Sequence, residues 1–236
     1  GASNGGAAYL VLGPVTGDFV LSSADYAFYG EGASDAAGTA VRGVGDWDGD
    51  GGVDFLVGAY LEDSGASNAG KSYLVLSSAL ADDDLGNAWA AFEGELSDDQ
   101  LGRTLGRGGD FDGDGLTDLL LGAPPEDTAG NAAGSAYIVL GTFTGGTLDL
   151  RYASMQITGE GDGHFATRGL DCPGDLDNDG YDDILIGADG EDSLWTDGGA
   201  AYIWLGGTVR GTQSLSLANT KFVGESDLDY VGYSVA

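Results

Sequence analysis

One acidic segment occurs three times on a fixed clock, and this constrains the fold more than any other feature of the chain. GDWDGDGGVDFLVGAYLED, GDFDGDGLTDLLLGAPPED and GDLDNDGYDDILIGADGED begin their aspartate series at Asp46, Asp110 and Asp175, 64 and 65 residues apart. A second element keeps the same time: AAYLVLG, KSYLVLS, SAYIVLG and AAYIWLG carry Tyr9, Tyr73, Tyr137 and Tyr202. A third is a Gly-Glu pair, at Gly30-Glu31, Gly94-Glu95, Gly159-Glu160 and Gly224-Glu225. Three markers on one period define a repeat architecture, in which each unit buries its apolar surface against its neighbours.

Within a period the apolar runs are short and bounded by glycine. DFLVGA, DLLLGA and DILIGA are continuous, as expected of strands covered on both faces. The tyrosine segments read the same way, WAAFEGE alternates like an outer strand, and Thr39–Val44 supplies a strand before the aspartates. No 3.6-residue periodicity marks an amphipathic helix, and 45 glycines suit many tight turns. The expectation is an all-β chain of β-propeller blades, each of four antiparallel strands in a repeat of about 65 residues. The whole chain 1–236 reads as one repeat domain. It divides into a partial blade at 1–30, repeats at about 31–94, 95–159 and 160–224, and a partial repeat at 225–236. It holds three aspartate loops but four tyrosine segments, so it reads as part of a larger propeller or as a protomer completed by another copy.

Each aspartate segment has the spacing D-x-D-x-D-G-x-x-D. The carboxylates are Asp46, Asp48, Asp50 and Asp54 in the first loop, and Asp110, Asp112, Asp114 and Asp118 in the second. In the third they are Asp175, Asp177, Asp179 and Asp183. A tight loop turns positions 1, 3 and 5 toward one centre. The glycine at position 6 permits the bend, and position 7 (Gly52, Leu116, Tyr181) offers a backbone carbonyl. Clustered carboxylates repel unless a cation lies among them, and an all-oxygen shell favours Ca²⁺, one ion per loop. An EF-hand would carry Glu at position 12, where this chain has Val57, Leu121 and Ile186 inside apolar strands.

These repeats resemble the FG-GAP repeats of the integrin α-subunit propeller. The GAP element stands as Gly122-Ala123-Pro124 and more loosely as Gly58-Ala59-Tyr60 and Gly187-Ala188-Asp189. The FG element is degraded to Ala37-Gly38, Leu101-Gly102, Phe165-Ala166 and Val231-Gly232. The resemblance implies a propeller of about seven blades with calcium loops on one face, and a role in adhesion or protein recognition outside the cell.

The charge balance bounds the partners. With 39 Asp and Glu against 8 Lys and Arg, the formal charge is −31, which repels nucleic acid. No apolar run is long enough for membrane insertion, and the opening GASNGG reads as loop. The excess of Asp over Glu points to metal loops. The expected partners are therefore a protein or glycan ligand, or further copies of the chain, met at the cell surface or beyond it. A calcium-stiffened block of a surface layer or fibre is the alternative to a recognition module.

Other residues are candidates of lower rank. Glu62-Asp63, Glu126-Asp127 and Glu191-Asp192 form either a ring of carboxylates for a second cation or ordinary strand-end turns. His164, the single histidine, has no nucleophile beside it in the sequence and reads as a turn residue. No GxSxG, HExxH, CxxC or phosphate-binding glycine loop is present, so no catalytic residue is assigned, and a hydrolase or lyase on a propeller scaffold stands as the lesser alternative. Cys172 reads as a small buried hydrophobe and Trp195 as a variable-loop residue.

Overall fold

The computed structural model describes residues 5–236, so all but two residues of the opening GASNGG lie outside it. Among the described residues the chain is all-β, with no helix longer than a three-residue 3-10 turn. The first two strands are β1 (Ala7–Leu10) and β2 (Tyr26–Tyr29). The next period supplies β3 (Ala40–Gly45), β4 (Asp54–Ala59), β5 (Lys71–Val75), β6 (Asp83–Asp84) and β7 (Ala90–Glu93). Then come β8 (Thr104–Leu105), β9 (Leu119–Ala123), β10 (Ser135–Val139), β11 (Gly146–Asp149) and β12 (Met155–Thr158). The last period holds β13 (Ala166–Gly174), β14 (Asp183–Ala188), β15 (Ala200–Trp204), β16 (Gly211–Ser214) and β17 (Thr220–Val223).

These strands form four sheets, ordered β1-β2-β6, β11-β7-β5-β4-β3, β16-β12-β10-β9-β8 and β13-β14-β15-β17. The expected four-stranded antiparallel meander is present in the last three, and Thr39–Val44 is realised as β3. The expectation of four strands alone needs correction. Two of the sheets have a fifth strand, and it runs parallel: β11 lies beside β7, and β16 beside β12. In the first sheet the short β6 pairs in parallel with β2. Each such strand comes from the following repeat, so every repeat lends an outer strand to the sheet before it. Lending covers an edge that would otherwise present unpaired backbone groups.

The core lies between successive sheets. On β9 the side chains alternate: Leu119 and Leu121 join the cluster holding Leu56, Leu74 and Phe92, while Leu120 joins the one holding Ile157, Ile184 and Ile186. β4 does the same, sending Leu56 forward and Val57 back toward Phe28. A strand buried on both faces must be apolar at every position, which accounts for the unbroken runs in the sequence. Tyr73, Tyr137 and Tyr202 are fully buried, and Cys172 is buried in the same core with its thiol pushed up to about 11 by desolvation.

Neighbouring sheets meet at backbone distance where the GAP and FG elements face each other. A Cβ on Gly58 would overlap the carbonyl oxygen of Gly102, and one on Gly187 that of Gly232. Gly102 and Gly232 adopt φ of 80° and 89°, which a side chain would strain. Gly58→Ala is therefore expected to cost about 1–3 kcal/mol by overpacking. Gly13→Ala, with nothing near the added carbon, should leave the urea midpoint unchanged.

Candidate metal centre

The residue at position 9 is the root of each loop. Asp54, Asp118 and Asp183 are fully buried. One oxygen of each accepts the amide of loop position 2: Trp47 at 2.8 Å, Phe111 at 2.9 Å and Leu176 at 2.7 Å. The other accepts an amide just beyond the next strand: Ser77 at 2.7 Å, Gly141 at 2.8 Å and Gly206 at 2.9 Å. One carboxylate thus ties the start of the loop to the end of the following strand. Burial, joined by the charges of Asp112 and Asp114, outweighs these hydrogen bonds and pushes Asp118 up to about 6.

Above that root the loop amides hold the remaining carboxylates in place. Position 6 donates to position 1 in every loop: Gly51 to Asp46 at 3.0 Å, Gly115 to Asp110 at 2.9 Å and Gly180 to Asp175 at 3.0 Å. Position 7 donates to position 5, at 2.6 Å for Gly52, 2.8 Å for Leu116 and 3.0 Å for Tyr181. Three carboxylate oxygens in each loop then lie within 4.8 Å of one another. They belong to Asp46, Asp48 and Asp50 in the first loop. In the second they belong to Asp110, Asp112 and Asp118, and in the third to Asp175, Asp177 and Asp183. The fourth aspartate of each loop, Asp54, Asp114 or Asp179, is outside that group. An all-carboxylate donor set of this kind fits a hard divalent cation.

A second polar centre lies at the seam between sheets, and it explains the Gly-Glu pairs. Tyr73, Tyr137 and Tyr202 each donate their hydroxyl to the glutamate 42 residues upstream: Glu31 at 2.7 Å, Glu95 at 3.0 Å and Glu160 at 2.9 Å. Glu62, Glu126 and Glu191 are buried at the same seam. Each caps the turn that follows it, accepting the amides of Ser64, Thr128 and Ser193. They are turn clasps rather than an exposed ring. The sequence reading missed the cations here. Lys71 on β5 reaches Glu31 and Glu93, each at 3.1 Å, and Lys221 on β17 reaches Glu160 at 2.5 Å and Glu191 at 3.1 Å. His164 is buried in that last group, its Nε2 3.6 Å from Asp192.

Among the described residues the middle seam has no such ammonium. Gln156 stands opposite Tyr137, where Lys221 stands opposite Tyr202, and its amide donates to Tyr137 and Ser135. Burial, with the charges of Glu126 and Glu95 adding to it, pushes Asp99 up to about 7. Glu95 is raised as well, by burial first and by Glu126 next against the pull of Tyr137. By contrast, the ammonium groups and hydrogen bonds at the outer seams outweigh burial and hold Glu31 and Glu191 below the ordinary range.

Two expectations follow from these geometries. Asp118→Asn replaces one acceptor oxygen with an amide NH2, a donor facing a backbone N–H donor, and leaves that N–H unpaired. It should cost about 1–3 kcal/mol even in chelator, whereas the exposed-side Asp112→Asn should matter only when calcium is present. Paired urea titrations with and without calcium measure both. The second concerns pH. A carboxyl whose pKa is higher folded than unfolded binds its proton more tightly in the folded chain, so stability rises as pH falls. For Asp99 that gain begins near 7 and is complete near the ordinary value of 3.8. The lowered glutamates, with an ordinary value of 4.5, begin to withdraw stability only below it. In chelator the melting temperature should therefore be higher at pH 5.5 than at pH 8. Asp99→Asn should reduce that difference and leave the share that Asp118, also raised, contributes.

Comparison with known proteins agrees with this geometry. The FG-GAP repeat family matches residues 102–139 and 172–205, two spans that each enclose an aspartate loop and the two strands after it. Integrin alpha-PS5 of Drosophila melanogaster is 30% identical over 220 residues, which is 88% of this chain and 20% of that protein. The chain thus spans about a fifth of the length of that relative. The period, the facing glycines and these matches together place the chain in the FG-GAP, integrin-α type of repeat family.

Proposed function

We propose that this chain is a calcium-stabilised stretch of a larger propeller, working outside the cell as a non-catalytic module that recognises a protein or glycan. The observation that carries the reading is the set of three loops, each bringing three carboxylate oxygens within 4.8 Å of one another. Asp46, Asp48, Asp50 and Asp54 would hold the first ion with the carbonyl of Gly52. Asp110, Asp112, Asp114, Asp118 and Leu116 would hold the second, and Asp175, Asp177, Asp179, Asp183 and Tyr181 the third. The likeness to an integrin α chain supports recognition of a protein partner. No helix among the described residues is long and apolar enough to cross a membrane.

Calcium loops of extracellular modules bind at roughly 10⁻⁴–10⁻³ M, a concentration found outside cells. Binding to the folded chain alone stabilises it by mass action, about 2.7 kcal/mol per site at a hundredfold excess over Kd. Calorimetric titration of metal-free protein should show three calcium sites, and Asp112→Ala should leave two. The melting temperature should climb with calcium and fall with chelator. Absence of calcium heat together with coincident melts in calcium and chelator would overturn the assignment.

A further inference from the structure

The turn after each Gly-Glu pair carries, four residues beyond the glutamate, an aspartate in three cases and a histidine in one: Asp35, Asp99, His164 and Asp229. The aspartates close their own turns. Asp35 accepts the amide of Gly32, Asp99 that of Leu96 and Asp229 those of Glu225 and Ser226. The side chain of His164 does not. It is in a residue only 8% exposed, and its buried Nδ1 has no hydrogen-bond partner among the described residues. Its Nε2 lies 3.6 Å from Asp192, beyond hydrogen-bond reach. A ring nitrogen buried without a partner carries a cost that a turn-closing aspartate avoids.

The groups around the ring are metal ligands by type and by spacing. One nitrogen of His164 and one oxygen each of Glu160 and Glu191 lie within 4.8 Å of one another. Both glutamates are held from behind: Tyr202 donates its hydroxyl to Glu160 at 2.9 Å, and the amide of Ser193 donates to Glu191 at 3.0 Å. Outer hydrogen bonds of this kind orient metal ligands. We infer that Glu160, His164 and Glu191 form a zinc site, built from none of the loop aspartates, that pins the last two sheets together. Glu160 follows β12, while His164 precedes β13 and Glu191 follows β14, so an ion there bridges the seam. The imidazole selects zinc, because calcium takes oxygen ligands. Three protein ligands leave the fourth tetrahedral position to water or to Asp192, which is 62% exposed and marks the way in from solvent. Lys221, 2.5 Å from Glu160 and 3.1 Å from Glu191, is the built-in competitor. Three carboxylates against its one ammonium leave two negative charges, which a divalent ion offsets. Its side chain is 28% exposed and swings outward as the ion enters.

Titration with zinc chloride in excess calcium, followed by calorimetry and by NMR of the imidazole, tests the inference. The chain has one histidine, so the ring signals report on His164 alone. One zinc ion should bind, the ring signals should shift with it, and the melting temperature should rise. His164→Asn keeps an oxygen able to close the turn as Asp35 does, and removes the nitrogen ligand. It should weaken zinc binding by about a hundredfold, since loss of even an orienting partner costs about 10–100-fold, and leave the calcium titration unchanged. Lys221→Gln installs the residue that Gln156 supplies at the middle seam, and should tighten zinc binding several-fold. Zinc entering the aspartate loops would bind wild type and His164→Asn alike and leave the ring signals in place. That result overturns the inference, as does the absence of zinc binding.

Discussion

A buried carboxylate at the root of each aspartate loop is the interaction on which the structure depends. Asp54, Asp118 and Asp183 are charged groups without solvent, tolerable only because both oxygens of each accept backbone amides. Those amides belong to two different segments, so the hydrogen bonds fix where the loop begins relative to the strand that follows. The loop above inherits its position from this clasp, and the amides of positions 5, 6 and 7 then find carboxylate acceptors within each loop. A cation held there would add to an arrangement the backbone has already shaped, and its binding energy would go into neutralising crowded charge rather than into ordering the loop.

Between sheets the contact is made in two layers. At the glycine pairs the backbones themselves touch, which leaves no side chain to adapt and fixes the separation of the sheets. The tyrosine hydroxyls reach back 42 residues to the glutamates that follow β2, β7 and β12 of the preceding sheet. Lent strands add a third tie in the same direction. All three link nearest neighbours only, so stability is carried repeat to repeat rather than through one central core. The seams differ in what balances their acids. Lys71 and Lys221 serve the outer two from non-equivalent positions, on β5 and β17, while the middle one has the neutral Gln156. That seam is where protonation rather than an ammonium relieves the charge.

The sequence made the repeat, the buried strands and the loop carboxylates legible because each has a local pattern: an unbroken apolar run, or aspartates at alternate positions. Gly146–Asp149 and Gly211–Ser214 have neither, being short and largely exposed, so the parallel fifth strand left no signal except its recurrence. Lys71 and Lys221 were invisible as seam cations because their acids lie 40 and 61 residues away and the two lysines occupy different strands. Position 9 was read as a ligand of the same kind as the others. Its sequence spacing is indeed regular, but only the fold shows that both of its oxygens are already engaged by amides.

The preference for Asp over Glu also has a broader cause than metal binding. Outside the loops, Asp35 accepts the amide of Gly32, Asp99 that of Leu96 and Asp229 those of Glu225 and Ser226. Asp63 and Asp127 accept amides five residues on, from Asn68 and Ala132, and Asp84 and Asp149 cap 3-10 turns. In each case a short side chain must reach an amide of its own turn, a geometry that suits Asp better than Glu. A repeat built from short strands needs many such turns, and each turn closed by a carboxylate adds a negative charge. Much of the formal charge of −31 therefore arises from how the chain turns. The glutamates at the seam, Glu31, Glu95 and Glu160, are the complementary case: there the longer side chain spans the gap between two sheets.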